Sequence, residues 1–357
     1  MPTFHPSPRE GQTMKRSLLA SAMGMAFALL ATASPAQEAG GAPPRAAADY
    51  PAPQTFPKAN EKAVAEHLSA ARKLAGTDLF PDMAHRCIIS PVYPVRVRGI
   101  QFDGKITPTR IFDQLYSVGQ NAVSAYVLKT SAGLILFDTL DNADEAKTLL
   151  VPNMEKLGLD PKQIKYIVIT HGHGDHYGGA QWLQQATGAK VIASAIDWEM
   201  MEKGPKPGVF KDLPLPKHDM EMKDGDTLTL GDTTIRFYVT PGHTPGTLSA
   251  IFPVTDHGQR HVVGFNGGTG GGRDEAGLRA SIPSFARWGE LTRAAGVDVL
   301  IANHPLHAET IEKEELLRHA LPGDPNPFIV GTDTYQRYVR IQAECARVQL
   351  ARLGLSE

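Results

Sequence analysis

Residues Tyr166 to Gly179 read YIVITHGHGDHYGG. A short apolar, β-branched run, Ile167 to Ile169, ends in Thr170, and the next six residues supply His171, His173, Asp175 and His176. An apolar run of this length bounded by turn residues reads as a buried strand. Gly172 and Gly174 fill the gaps and allow backbone angles that residues with a Cβ resist. A lone histidine is most often an ordinary loop residue, but four metal-competent side chains just past a buried strand are hard to explain by folding alone. Imidazole and carboxylate are ligands for zinc and its neighbours.

Further ligands are expected at other strand ends. His243, in Val239-Thr-Pro-Gly-His-Thr-Pro-Gly246, follows a strand and is enclosed by proline and glycine. His304, in Leu300-Ile-Ala-Asn-His-Pro305, follows the last buried strand. The spacing divides the set between two ions: His171, His173 and His243 at the first site, Asp175, His176 and His304 at the second. Each has three protein ligands and open positions, the arrangement of catalytic rather than structural zinc. A water between two such cations becomes a nucleophile near neutral pH, and Asp175 is the candidate to orient that hydroxide. The formal charge left at such a centre, about +2, favours small substrates carrying a carboxylate beside an electrophilic carbonyl.

Around the motif, strands and helices alternate. Strands are expected at residues 122–128, 134–137, 164–170, 190–193, 227–230, 233–240, 248–254, 261–265 and 298–302. Helices are expected at 59–75, 141–157, 180–186, 197–202 and 284–295, with two more closing the chain. Two β-rich halves with helices on their outer faces predict an α/β fold of αββα type, two packed mixed sheets with helices outside. Asn266-Gly-Gly-Thr-Gly-Gly-Gly272 has the composition of a phosphate loop without its lysine or helix start, so it reads as a flap or rim over the metals. Asn266, Thr269 and His307 are the candidate substrate contacts. The other histidines (His5, His67, His85, His218, His257, His261 and His319) read as surface or loop residues.

The 357 residues carry 36 basic against 38 acidic side chains, which gives no electrostatic case for nucleic acid. Lys15 and Arg16 precede the apolar run Leu18 to Ala31 and the small residues Thr32 to Ala36, the pattern of a cleaved export signal. That run is short for a membrane span. Residues 1–36 are therefore expected to be a leader and signal peptide, with Met1 or Met14 as the start. Residues 37–57 read as a flexible linker and 58–357 as the folded domain, periplasmic or secreted, without stable membrane insertion. Two cysteines, Cys87 and Cys345, permit one disulfide in such a compartment; two buried thiols are the alternative.

His171-Gly-His-Gly-Asp-His176, with Pro241-Gly-His-Thr244 and Asn303-His-Pro305 downstream, resembles the metallo-β-lactamase fold hydrolases over about residues 107–310. The resemblance implies Asp138 and Thr170 as groups supporting the metal ligands, and two Zn2+ per chain. Most of that superfamily, glyoxalase-like thioesterases and lactonases included, has a bridging aspartate after the strand between the last two histidines, and one group of β-lactamases has a cysteine there. This chain reads Gly264-Phe-Asn-Gly-Gly268, with neither. With a histidine beside the aspartate as second-site ligand, it is most similar to subclass three of the metallo-β-lactamases. It departs from that subclass in Asn266 to Thr269, where serines are common, and in Gly174, where a bulky residue is common. The resemblance implies attack of metal-bound hydroxide on a cyclic amide, as in a β-lactam. The alternatives are an ester, lactone, thioester or phosphodiester substrate on the same metals, or a zinc-binding protein without turnover.

Overall fold

Alternation in the strands fixes which side of each sheet faces what. In β3 (Tyr126–Thr130) and β4 (Gly133–Phe137), Val127, Leu134 and Leu136 point to one apolar cluster, while Tyr126, Leu128, Ile135 and Phe137 point to another. A period of two that is apolar on both sides requires a sheet covered on both faces. The computed structural model describes residues 52–93, 104–204, 210–268 and 270–357. The expected leader 1–36, most of the expected linker 37–57, and Thr269 lie outside them.

The first sheet runs in chain order: β1 (Thr109–Arg110), β2 (Leu115–Ser117), β3, β4, β5 (Ile164–Val168), β6 (Lys190–Ala193) and β7 (Met220–Glu221). It is antiparallel up to β4 and parallel from β4 to β7, so it is mixed, as expected. The second sheet has the order β12-β11-β10-β9-β8. Its strands are β8 (Thr227–Leu230), β9 (Thr233–Val239), β10 (Leu248–Asp256), β11 (Gln259–Asn266) and β12 (Val299–Ala302), with only β11 and β12 parallel. β10 and β11 run longer than expected because His257 and Gly258 both take positive φ, 48° and 81°, and close a tight hairpin that carries pairing out to Asp256 and Gln259.

The sheets meet through aromatic rings. Phe137 stacks on Phe252 at 5.5 Å and meets Phe265 edge-on at 5.6 Å, as does Tyr126. Helices cover the outer faces. α1 (Glu61–Ala75) and α2 (residues 80–92) precede the first sheet, and α3 (residues 143–156) follows β4. α4 (Gly174–Tyr177), α5 (Ala180–Thr187) and α6 (Ala195–Lys203) follow, then α7 (Glu275–Ala294), α8 (Thr310–Arg318) and α9 (Thr332–Arg352). Ala146, Leu150, Leu183 and Trp198 pack on the first sheet, and Trp288, Tyr335, Val339 and Ile341 with Met83 on the second.

α7 departs from the expected 284–295. It begins at Glu275, capped by Asp274 Oδ1 accepting from the Gly277 N–H, and carries Pro283 inside it. A proline removes one intrahelical bond, and here the buried face Leu278, Phe285 and Trp288 outweighs that loss. Cys87 in α2 is bonded to Cys345 in α9, so the thiol alternative falls. No helix of the described residues is long and apolar enough to cross a membrane.

Candidate metal centre

The polar residues gather where chains leave the sheets. β5 ends at Val168 and delivers His171, His173, Asp175 and His176; the segment after β9 delivers His243, and that after β12 delivers His304. His173 Nδ1 lies 3.1 Å from His243 Nε2, and the His171 ring centroid lies 4.8 and 4.5 Å from those two rings. On the other side His176 Nε2 lies 3.2 Å from His304 Nε2 and 3.5 Å from an Asp175 carboxylate oxygen, which is itself 3.8 Å from His304 Nε2. The two groups adjoin, with 3.9 Å between the His171 and His176 ring centroids.

Each side chain is aimed by a second contact. Asp138 follows β4 with φ 60°, a left-handed backbone that turns its fully buried carboxylate back into the fold. One oxygen accepts the Thr170 N–H at 2.8 Å; the other takes the Thr170 hydroxyl and the His176 Nδ1–H, each at 2.8 Å. His171 Nδ1 donates to the Gly267 carbonyl (2.7 Å) and His304 Nδ1 to the Ala122 carbonyl (2.8 Å), which leaves their Nε2 lone pairs facing inward. Gly178 allows α4 to press on the loop after β4: a methyl there would sit 1.9 Å from the Asp141 carbonyl oxygen.

Sequence reasoning missed Asp197, fully buried at the start of α6. Its carboxylate accepts the Gly172 N–H (2.8 Å), the Thr244 hydroxyl (2.7 Å) and the Gly246 N–H (2.9 Å), so it ties the motif to the loop of His243. No local pattern marks it, since its partners lie 25 to 49 residues away. Phe210 was missed as well. Its ring fills the space beside Gly174, 2.5 Å from where a methyl would stand, so that space is occupied from another segment.

The site fits metal ions. His171 Nε2 is buried and has no hydrogen-bond partner, a costly state for a nitrogen that nothing coordinates. Burial holds His171 and His243 far below the usual imidazole range and His173 and His304 down to about 4, so all four are neutral ligands at pH 7. His176 is opposite: burial works against its charge, yet Asp175 and Asp138 push it up to about 10. Burial would likewise raise Asp175, but His176 holds its carboxyl below the carboxylate range. The proton that His176 carries between two carboxylates is the one a cation replaces.

The candidate substrate contacts fare differently. His307 is buried with its ring centroid 6.3 Å from that of His304, and its Nδ1 has no partner. Asn266 Oδ1 accepts the Gly268 N–H, a turn role, and Thr269 lies outside the described residues. Several of the histidines read as surface or loop residues pair with carboxylates: His67 with Glu344, His218 with Glu202, His261 with Asp298.

An αββα sandwich with histidines and an aspartate gathered in two groups at its strand ends defines a metallo-hydrolase fold. The sequence profile of the Metallo-beta-lactamase superfamily matches residues 118–256. BJP-1, a subclass B3 metallo-beta-lactamase of Bradyrhizobium japonicum, is 32% identical, with 68% of this chain and 93% of that one superposed at a TM-score of 0.59. The native FEZ-1 metallo-beta-lactamase from Legionella gormanii shares the fold at a TM-score of 0.61 and 23% identity, over 71% of this chain and 98% of that one. This chain belongs to the metallo-beta-lactamase superfamily. Among curated proteins it is 31% identical over 131 residues to the hydroxyacylglutathione hydrolase of Maricaulis maris (strain MCS10). That match spans 36% of this chain and 45% of the relative's length.

Proposed function

We propose that the protein is an exported di-zinc hydrolase that opens a cyclic amide, a β-lactamase of the subclass-three kind. One observation carries the choice of branch. Where β11 ends beside the metal groups, the chain offers Asn266 with its Oδ1 spent on a turn, and neither the bridging aspartate of the thioesterase-like branch nor a cysteine. In this reading the second ion draws on Asp175, His176 and His304 and needs no residue from the end of β11.

Zinc bound at such a centre supplies Lewis acidity and a nucleophilic water at neutral pH. The chain's own part is positional. His171, His173 and His243 would hold one ion, and Asp175, His176 and His304 the other. Asp138 keeps His176 oriented, and Asp197 keeps the motif against the His243 loop. The Asp175 carboxylate, ionised and a quarter exposed, faces the cleft and accepts a proton or hydrogen bond from the attacking water. No side-chain nucleophile is required.

The test is zinc analysis with nitrocefin and imipenem hydrolysis, with and without chelator. Chelator-sensitive turnover supports the reading. A second reading, a thioester hydrolase, draws on the hydroxyacylglutathione hydrolase relatives. Turnover of S-lactoylglutathione or an acyl-lactone without turnover of β-lactams would replace the first reading by the second. Tight zinc binding with no turnover of any of these would make the protein a metal binder. Export predicts that protein recovered from the periplasm starts at about residue 37, read by N-terminal sequencing.

A further inference from the structure

The three segments that carry the candidate ligands are joined through one peptide group. Gly267 follows the end of β11 and is buried; a methyl there would stand 2.1 Å from the Leu248 carbonyl oxygen, so only bare backbone fits. Its N–H donates to Ser249 Oγ at 3.0 Å, and that hydroxyl lies 2.6 Å from Thr240 Oγ1, three residues before His243. Its carbonyl oxygen accepts twice, from His171 Nδ1 at 2.7 Å and from Asn303 Nδ2 at 2.6 Å. A carbonyl oxygen has two lone pairs, and here both are taken.

Asn303 is fully buried and stands next to His304, a candidate ligand of the second group. Its backbone is fixed without help from its side chain. The Ala302 carbonyl accepts the Tyr126 hydroxyl at 2.8 Å, and the Asn303 carbonyl accepts the Ser124 N–H at 2.9 Å. The carboxamide points instead at the first group: Nδ2 lies 3.4 Å from both Thr170 Oγ1 and His171 Nδ1. The contact with His171 is that of two N–H groups converging on one acceptor. A carbonyl can only be the target of a donor, which fixes the amide orientation of Asn303 and the protonation of His171 at Nδ1. Glycine backbone is the softest in the chain, so a carbonyl at Gly267 that aims a metal ligand needs holding from outside.

We infer that Asn303 is a positioning residue for the first metal group: by pinning the Gly267 carbonyl it fixes the tautomer and aim of His171. In sequence it neighbours a ligand of the other group, so it also ties the segment of His304 to the motif. The inference rests on the two-ion reading and assigns the residue within it. The alternative is an asparagine that only steadies the loop of His304, and the two predict losses at different ions.

The test isolates each group in the full-length protein. His304→Ala leaves His171, His173 and His243 for one zinc; His243→Ala leaves Asp175, His176 and His304. Zinc affinity is read by chelator competition, with and without Asn303→Leu, which is close in size and cannot donate. Groups that orient metal-bound histidines are worth ten- to a hundredfold in affinity. Asn303→Leu is therefore expected to weaken zinc about tenfold in the His304→Ala protein and to leave the His243→Ala protein unchanged. Equal losses in both, or no loss in the first, overturn the inference. A second measurement needs no variant. In the wild type, NMR should show His171 protonated at Nδ1, with that proton and one Asn303 Nδ2 proton slow to exchange with water and joined by an NOE. A freely exchanging Asn303 amide overturns the inference even where Asn303→Leu does not fold. If either single-group protein holds no zinc, the two-ion reading fails, and the amide signature still decides Asn303.

Discussion

Asp197 spends a fully buried carboxylate on two backbone N–H groups and one hydroxyl, drawn from the motif and from the loop of His243. Burial raises its pKa, and the donors Thr244, Gly172 and Gly246 oppose that rise. Hydrogen bonds to a charged group are worth about 1.5–3 kcal/mol each, part of which is returned when the buried charge goes. Asp197→Ala is therefore expected to cost about 3 kcal/mol and to loosen His243, seen as a lower urea midpoint and less zinc retained after dialysis. Asp197→Asn, which keeps an acceptor, should fall between. Glu314 in α8 shows the opposite economy. It is fully buried, and burial pushes its pKa up to about 7 against the opposing influence of Ser117 and Arg318. Its neutral form belongs to the folded state while the unfolded chain ionises near the ordinary value. The stability it contributes is thus complete below the unfolded pKa and is lost as pH rises to about 7, up to about 3 kcal/mol. Glu314→Gln should raise the melting temperature at pH 8 and leave it nearly unchanged at pH 5; an equal shift at both would remove Glu314 as the cause. Neither residue was legible in the sequence. His171, His173, Asp175 and His176 were, because a turn packed with ligands has a local signature. Asp197 is one aspartate in a helix, and what distinguishes it is a set of partners brought near only by folding.

At the level of elements, strands read well and helix limits less well. β4 and β5 were legible because apolar runs buried on both faces leave little else to become. α7 begins before the expected residue 284, because its first two turns, ahead of Pro283, are held by Asp274 and by the buried Leu278 and Ser281. α2 was not assigned at all. Pro81 and Pro91 interrupt its pattern, and it takes its conformation from contact with the second layer, through Met83 and Cys87. The disulfide to Cys345 spans 258 residues, and Arg352 Nη1 donates to the Cys87 carbonyl at 2.7 Å, so α2 is held twice by α9. A link closing so long a loop stabilises by about 5 kcal/mol if it acts chiefly by restricting the unfolded chain. Replacing both cysteines by serine, or reducing the native protein, is expected to lower the guanidinium midpoint accordingly. Full stability after reduction would refute the structural role of the bond.

Across the whole molecule, the candidate metal ligands are where the three layers of packing agree. The first sheet positions the motif through β4 and β5, the second positions His243 and His304 through β9 and β12, and the aromatic layer of Phe137, Phe252 and Phe265 sets the sheets at one distance. The convergence of those residues was legible as a list of strand-end histidines, and the fold as an alternation of elements. How closely the segments approach was not, because it depends on contacts such as Gly178 against the Asp141 carbonyl that involve no side chain of the glycine. Such a site is a burden when empty: His171 Nε2 has no partner, and His176 must hold a proton between Asp138 and Asp175 to balance their charge. Cations that bind the folded chain and not the unfolded one stabilise it by mass action, about 4 kcal/mol at a thousandfold excess over Kd. For a domain of this size that is on the order of 8 °C in melting temperature. Stripping with chelator should lower the melting temperature by that order, zinc should restore it, and magnesium should not, since the donor set is mostly imidazole. The same titration on His243→Ala and His304→Ala should each remove about half of the gain, as expected if the ions sit on opposite sides of the motif. A single step, abolished equally by either substitution, would mean that one ion holds all six groups.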